Sequence, residues 1–191
     1  MATARYILAL GLIVSLPPGL LLWFAIHPFA GRWRRIGAKG TYGVLAVPVL
    51  ALMAGIYRGR GWFLAAEYGT NWVLVGLGLL CIAAGMVIAY ARGKHLTKRI
   101  LAGIPELSAD DPGVLLQQGI YARIRHPRYI ELLFWVLGYA LISNYLGTYV
   151  LFAIMLPAIY LIVLMEEKEL RDRFGEEYTE YCRRVPRFIP R

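Results

Sequence analysis

From Trp72 to Ala91 the chain runs for twenty residues without one charged side chain. That is about the length an α-helix needs to cross the hydrocarbon core of a bilayer, where a helix satisfies its backbone hydrogen bonds internally. Tyr6 to Ile26 and Tyr145 to Met165 are runs of the same kind, and Tyr42 to Tyr57 and Tyr129 to Ile142 are shorter ones. A chain of 191 residues with 59% apolar and only 17% charged residues exceeds the apolar content of ordinary soluble domains, about 45–50%. The spacing predicts an integral membrane protein of one domain.

The charges that remain are unbalanced, at a net +9. A nucleic-acid binder would interleave its lysines and arginines with polar surface, whereas here they fill the gaps between apolar runs, which argues against nucleic acid as a partner. Cys81 lies in an apolar run and Cys182 in a charged tail. His27, His95 and His126 are scattered, so neither a disulfide framework nor a metal site is expected.

The first run is interrupted by Pro17-Pro18 and followed by Arg32, Arg34 and Arg35 with no small-residue cleavage site, so it reads as a kinked transmembrane helix rather than a signal peptide. Gly31 to Lys39 reads as a short basic loop, and Arg58 to Asn71 as an aromatic-flanked connection. Gly76, Gly78 and Gly85 lack the strand that a nucleotide-binding glycine loop requires and read as close helix-packing positions. Arg92 to Arg128 is the longest polar stretch. Ser143-Asn144 is a turn signal, making residues 129–165 a tight helical hairpin bent at Pro157. In the tail, Leu170, Phe174, Tyr178 and Tyr181 share one helix face. Glu167 with Arg171 and Glu169 with Arg173 form i,i+4 pairs on its solvated side, and Phe188-Ile189 is placed to dip back into the interface.

The expected fold is therefore all-α. It is a polytopic membrane helical bundle of about five transmembrane helices with a C-terminal cytoplasmic amphipathic helix. Residues 1–91 carry three helices, and 92–191 carry the hairpin and tail. Loops rich in Lys and Arg stay in the cytoplasm, which places the N-terminus outside and the C-terminus inside.

Chemistry concentrates in two places. Gly119 to Tyr129, reading GIYARIRHPRY, crowds Arg123, Arg125, His126 and Arg128 onto the threshold of an apolar run, and Met165-Glu166-Glu167 ends the next one. Ionisable residues gathered at a membrane boundary from two sides point to a site.

These two segments, with Leu170, Phe174-Gly175, Tyr178, Tyr181 and Val185-Pro186 following at their spacings, resemble the isoprenylcysteine carboxyl methyltransferases and the wider group of membrane methyltransferases that includes phospholipid N-methyltransferases. The resemblance covers about residues 104–190. It implies a cytoplasmic-side S-adenosylmethionine site at Gly113, Val114, Leu115, Leu116, Tyr121, His126, Pro127, Arg128, Tyr129, Glu166 and Glu167. Arg125, His126 and Glu131 are the candidate catalytic residues.

The residue types suit that cofactor. Glu166 can accept from its ammonium or its hydroxyls. Tyr121 and Tyr129 offer faces to adenine or to the cation, and His126 with Arg125 or Arg128 can meet its carboxylate.

Two positions depart from the family pattern. Ile162 stands where an arginine contacts the substrate, with Arg128 or Arg171 as the candidates to replace it. Glu131 stands where glycine is usual, so that it either meets an arginine or touches substrate. The partner implied is a lipophilic or prenylated acceptor entering from the bilayer. Methylation of a phospholipid amine is the alternative, and a non-catalytic membrane bundle is the reading from another class.

Overall fold

In a computed structural model the described residues are 1–94, 104, 107 and 113–190. The part of the polar stretch that holds His95, Pro105 and Asp110-Asp111-Pro112 lies outside them. Helix α1 (Ala2–Ile26) runs through both Pro17 and Pro18, and a 3₁₀ turn at His27–Phe29 leads into α2 (Ala30–Arg58). A short α3 (Arg60–Phe63), α4 (Trp72–Gly93), α5 (Pro127–Ser143), α6 (Leu146–Phe174) and α7 (Glu176–Arg184) follow.

Among the described residues there is no strand, only an isolated bridge between Glu67 and Tyr145. The all-α membrane bundle is confirmed. Among the described residues three helical stretches are long and apolar enough to cross a membrane: Ala2–Arg58, which contains α1 and α2, then Trp72–Gly93 and Leu146–Phe174. With 17 residues at about 1.5 Å each, α5 falls a turn short of a full crossing.

The expected basic loop at 31–39 is instead helical. The chain enters α2 at Ala30, and the only break in the helix is at Gly37, whose φ of 71° a side chain would resist. Tertiary bonds hold this stretch: Trp33 Nε1 donates to the Ala25 carbonyl at 2.8 Å, and Arg34 pairs with Glu169 of α6. The tail stripe also divides. Gly175, at φ 56° and ψ −126°, ends α6 and begins α7, so Leu170 and Phe174 belong to the long helix while Tyr178 and Tyr181 belong to the short one.

The hairpin forms where the turn signal lies. Asn144 takes the left-handed conformation that closes α5, and its side-chain amide donates to the Gly69 carbonyl at 3.0 Å. At this end of the bundle Arg5 is 2% exposed. It donates to the Ser143 carbonyl (2.9 Å) and Thr70 (3.2 Å), and it pairs with Glu67 (3.0 Å). The N-terminal helix is thereby pegged to the hairpin turn. Asn71 starts α4 by accepting from the amides of Val73 and Leu74 at 3.0 and 3.2 Å.

Helices α4 and α5 cross where Gly78 meets Gly138. A methyl group added at Gly78 would lie 2.7 Å from the Gly138 carbonyl and 2.6 Å from Ile142, and Gly85 gives room to the Trp135 ring. Gly76 faces open space, so only two of the three glycines serve the packing role. Gly78→Ala should force the helices apart and cost about 1–3 kcal/mol. A lowered unfolding temperature for Gly78→Ala, beside an unchanged one for Gly76→Ala, checks this.

Candidate functional site

At the end of the bundle opposite Arg5, the start of α5 meets the end of α6. Pro127 opens α5 as a first-turn proline, and the chain before it is bonded through its backbone to the C-terminal tail. The amide of Arg125 donates to the Pro186 carbonyl at 2.9 Å, and the amide of His126 donates to the Arg187 carbonyl at 3.1 Å. Tyr181 of α7 donates its hydroxyl to the Tyr121 carbonyl at 2.6 Å. The tail is thus a strap across the threshold segment. Phe188 packs into the main apolar core beside the His126 ring, at 6.1 Å between centroids. Ile189, expected to accompany it, is exposed.

The adjacent glutamates of α6 have separate surroundings. Glu166 accepts from the Tyr129 hydroxyl at 2.6 Å and faces a cleft of about 710 Å³. Glu167 is 0% exposed and turns toward the strap. Arg187 holds it with two bonds of 2.9 Å, with Arg125 at 3.0 Å and Arg171 at 3.4 Å. Those bonds from Glu167 push the Arg187 guanidinium above its ordinary pKa. His126 lies between the carboxylates, Nδ1 3.8 Å from Glu166 and Nε2 3.3 Å from Glu167.

Val114, Leu115, Leu116, Tyr121, Arg125, His126, Pro127, Arg128, Tyr129 and Glu166 all line the cleft. Gly113 and Glu167, the other expected positions, are not in its lining. Glu131 faces a different cleft and meets an arginine: Arg92 of α4 donates to it at 2.6 and 3.1 Å. The i,i+4 pairs of the tail form at 3.4 and 3.5 Å, but Glu167 and Glu169 are buried rather than solvated.

Burial pushes the Tyr121 phenol up to about 12, so it remains a hydroxyl donor throughout the physiological range. The same cause raises Tyr178 and Tyr181.

Sequence reasoning gave Arg173 a surface pair and Tyr181 a place in the tail stripe and not in the site, yet both line the cleft with Leu170 and Phe174, and it passed over Arg187 and Arg92, which hold Glu167 and Glu131. Arg92 resembles any basic residue at the end of a span. Arg187 carried a signal in its place between Pro186 and the Phe188-Ile189 pair.

Comparison with known proteins covers much of the same ground. A family model described as phospholipid methyltransferase matches residues 72–177, more than half of the chain. A protein-S-isoprenylcysteine O-methyltransferase of Schizosaccharomyces pombe is 28% identical over 131 residues, 67% of this chain and 52% of that protein. A probable enzyme of the same name from Oryza sativa subsp. indica is 28% identical over 129 residues, 65% of each chain. A nickel-cobalt-cadmium resistance protein of Alcaligenes xylosoxydans xylosoxydans is 29% identical over 178 residues, 93% of this chain and 74% of that protein, so the likeness there extends to the first two helices. The aligned part spans between half and two thirds of the two methyltransferases. With the family model matching all of α4 through the start of α7, including Tyr129 and Glu166 of the cleft, the chain belongs to the phospholipid methyltransferase family.

Proposed function

We propose that this protein transfers a methyl group from S-adenosylmethionine to a lipophilic acceptor, at the charged and cytoplasmic end of the helical bundle. The observation that carries the reading is the meeting of Glu166 and Tyr129 in one cleft with His126, Arg128 and Tyr121.

That donor set fits the cofactor. A carboxylate stands ready for an ammonium or ribose hydroxyls, the His126 ring and the Arg173 guanidinium for a carboxylate, and the rings of Tyr121 and Phe174 for an aromatic base. The cofactor supplies an electrophilic methyl carried on a sulfonium.

The chain has three tasks. Glu166 and Tyr129 orient, the leucine and valine wall at 114–116 keeps water away, and the backbone bonds of residues 125–126 to the tail hold His126 in place. Methyl transfer of this kind depends chiefly on alignment and water exclusion. The names of the isoprenylcysteine methyltransferase relatives support a carboxylate acceptor. Ile162, standing in place of the family arginine, favours an amine as the second reading.

Purified protein in detergent, given S-adenosylmethionine with a radiolabelled methyl and a total membrane lipid extract, should place label in the organic phase. The absence of both cofactor binding and methyl transfer would overturn the proposal. The pH profile separates the acceptors: an amine must lose its proton, so its rate climbs toward alkaline pH, whereas a carboxylate gives a flat profile above neutrality.

A further inference from the structure

A second cleft, of about 930 Å³, shares its wall with the first. Arg128 and Tyr129 line both. Its floor is α5, with Glu131, Leu132 and Trp135. One side is α1, with Leu16, Leu20 and Trp23, and the other is α4, represented by Arg92. Helices α1 and α4 each pack on α5, and the cleft is the space left open between them. Because these are the flanks of apolar helices, the opening faces the lipid.

Its charges are arranged unequally. Arg92 and Glu131, with side chains 11% and 14% exposed, satisfy one another through two bonds. Together they contribute no net charge. Arg128 sits over the Trp23 ring, 4.9 Å from its centroid, and among the described residues no carboxylate lies within ion-pair distance of it. Trp23 lines this cleft and not the first, so the guanidinium is turned toward the α1 side. The cleft therefore offers an apolar shaft under a cation that no described carboxylate pairs directly, beside the wall through which Glu166 acts on it.

Resting on the proposed methyl transfer, we infer that this opening between α1 and α4 receives the acceptor, and that the Arg92–Glu131 pair determines which head group it takes. Arg128 meets an anionic head, the chain of the acceptor lies along Leu16, Leu20, Leu132 and Trp135, and Glu131 cancels Arg92 so that a single anion suffices. A cationic head meets Arg128 while the one carboxylate among the described residues lining this cleft, Glu131, is already held by Arg92, which is discrimination through an unfavourable contact.

The test uses full-length protein in detergent, palmitate bearing a mid-chain diazirine, and the amine of the same chain with the same diazirine. After irradiation, the palmitate probe should label peptides covering residues 15–23 and 132–135, and the amine probe should label them several-fold less. Glu131→Gln releases Arg92 and should raise palmitate labelling several-fold, while Arg92→Met with Glu131→Leu should return it to the wild-type level. Arg128→Gln should remove the preference for palmitate.

Equal labelling by the two probes, labelling spread over the apolar surfaces of α1 and α6, or no response to Glu131→Gln in protein of unchanged unfolding temperature would overturn the inference. Should Glu131→Gln fold poorly, Arg128→Gln alone decides. Calorimetric binding of S-adenosylmethionine by the same samples separates this failure from failure of the proposed transfer. Binding retained with unselective labelling sinks only the acceptor site, and binding lost sinks the transfer.

Discussion

Glu166→Ala should weaken S-adenosylmethionine binding by between ten- and about a hundred-fold, with the fold nearly as stable as before. The magnitude is that of a hydrogen bond to a charged group, about 1.5–3 kcal/mol, at about 1.4 kcal/mol per tenfold in Kd. Stability should hold because Glu166 is the partly accessible member of the pair. Its side chain is 24% exposed, and its shortest bond is to a tyrosine that keeps its own place in the apolar core. Titration calorimetry in detergent reads the affinity, and the unfolding temperature serves as the control. Tyr129→Phe, which removes only the 2.6 Å bond, should weaken binding less than ten-fold. An affinity unchanged in Glu166→Ala would remove this glutamate from the cofactor site.

The neighbouring residue should behave in the opposite way. Glu167→Ala leaves the buried Arg125 guanidinium without its carboxylate and releases Arg187, and the strap with it, from α6. Breaking a buried ion pair from one side costs about 3–5 kcal/mol, a drop in Tm on the order of 10 °C for a chain of this size. Because Arg187 carries the strap, the released tail should be cut by trypsin at Arg183, Arg184 and Arg187 under conditions in which the wild type resists. Glu167→Gln keeps the shape but not the charge, and should fall between the two. Wild-type stability and wild-type protease resistance in Glu167→Ala would show that the cluster holds nothing together.

This contrast marks where reading the sequence stops. Consecutive residues on a helix point about 100° apart, so Glu166 and Glu167 must have different neighbours, yet nothing in Met165-Glu166-Glu167 says which faces the cleft. That depends on Arg187, twenty residues away, and on where Gly175 turns the chain. The hairpin was readable because its turn chemistry is local: Ser143-Asn144 separates two apolar runs, and asparagine tolerates the left-handed backbone found there. The threshold segment was readable because arginine, histidine and proline are rarely placed together at the edge of an apolar run without a task. The stretch at 31–39 was misread as a loop because glycine and arginine dominate it locally, while the contacts that keep it helical come from Ala25 and Glu169. Arg92 and Glu131 illustrate the same limit. Each looks ordinary or costly alone, and only the packing of α4 on α5 brings them within 2.6 Å.

The peg at Arg5 bears on biosynthesis. Its bond to the Ser143 carbonyl joins positions 138 residues apart, and its carboxylate partner is Glu67. A ribosome must therefore complete three quarters of the chain before the first helix can be fastened. Until then α1 carries a cation whose final acceptor has not been synthesised, so locking of the bundle belongs to a late stage of assembly, after the turn at Asn144 has emerged.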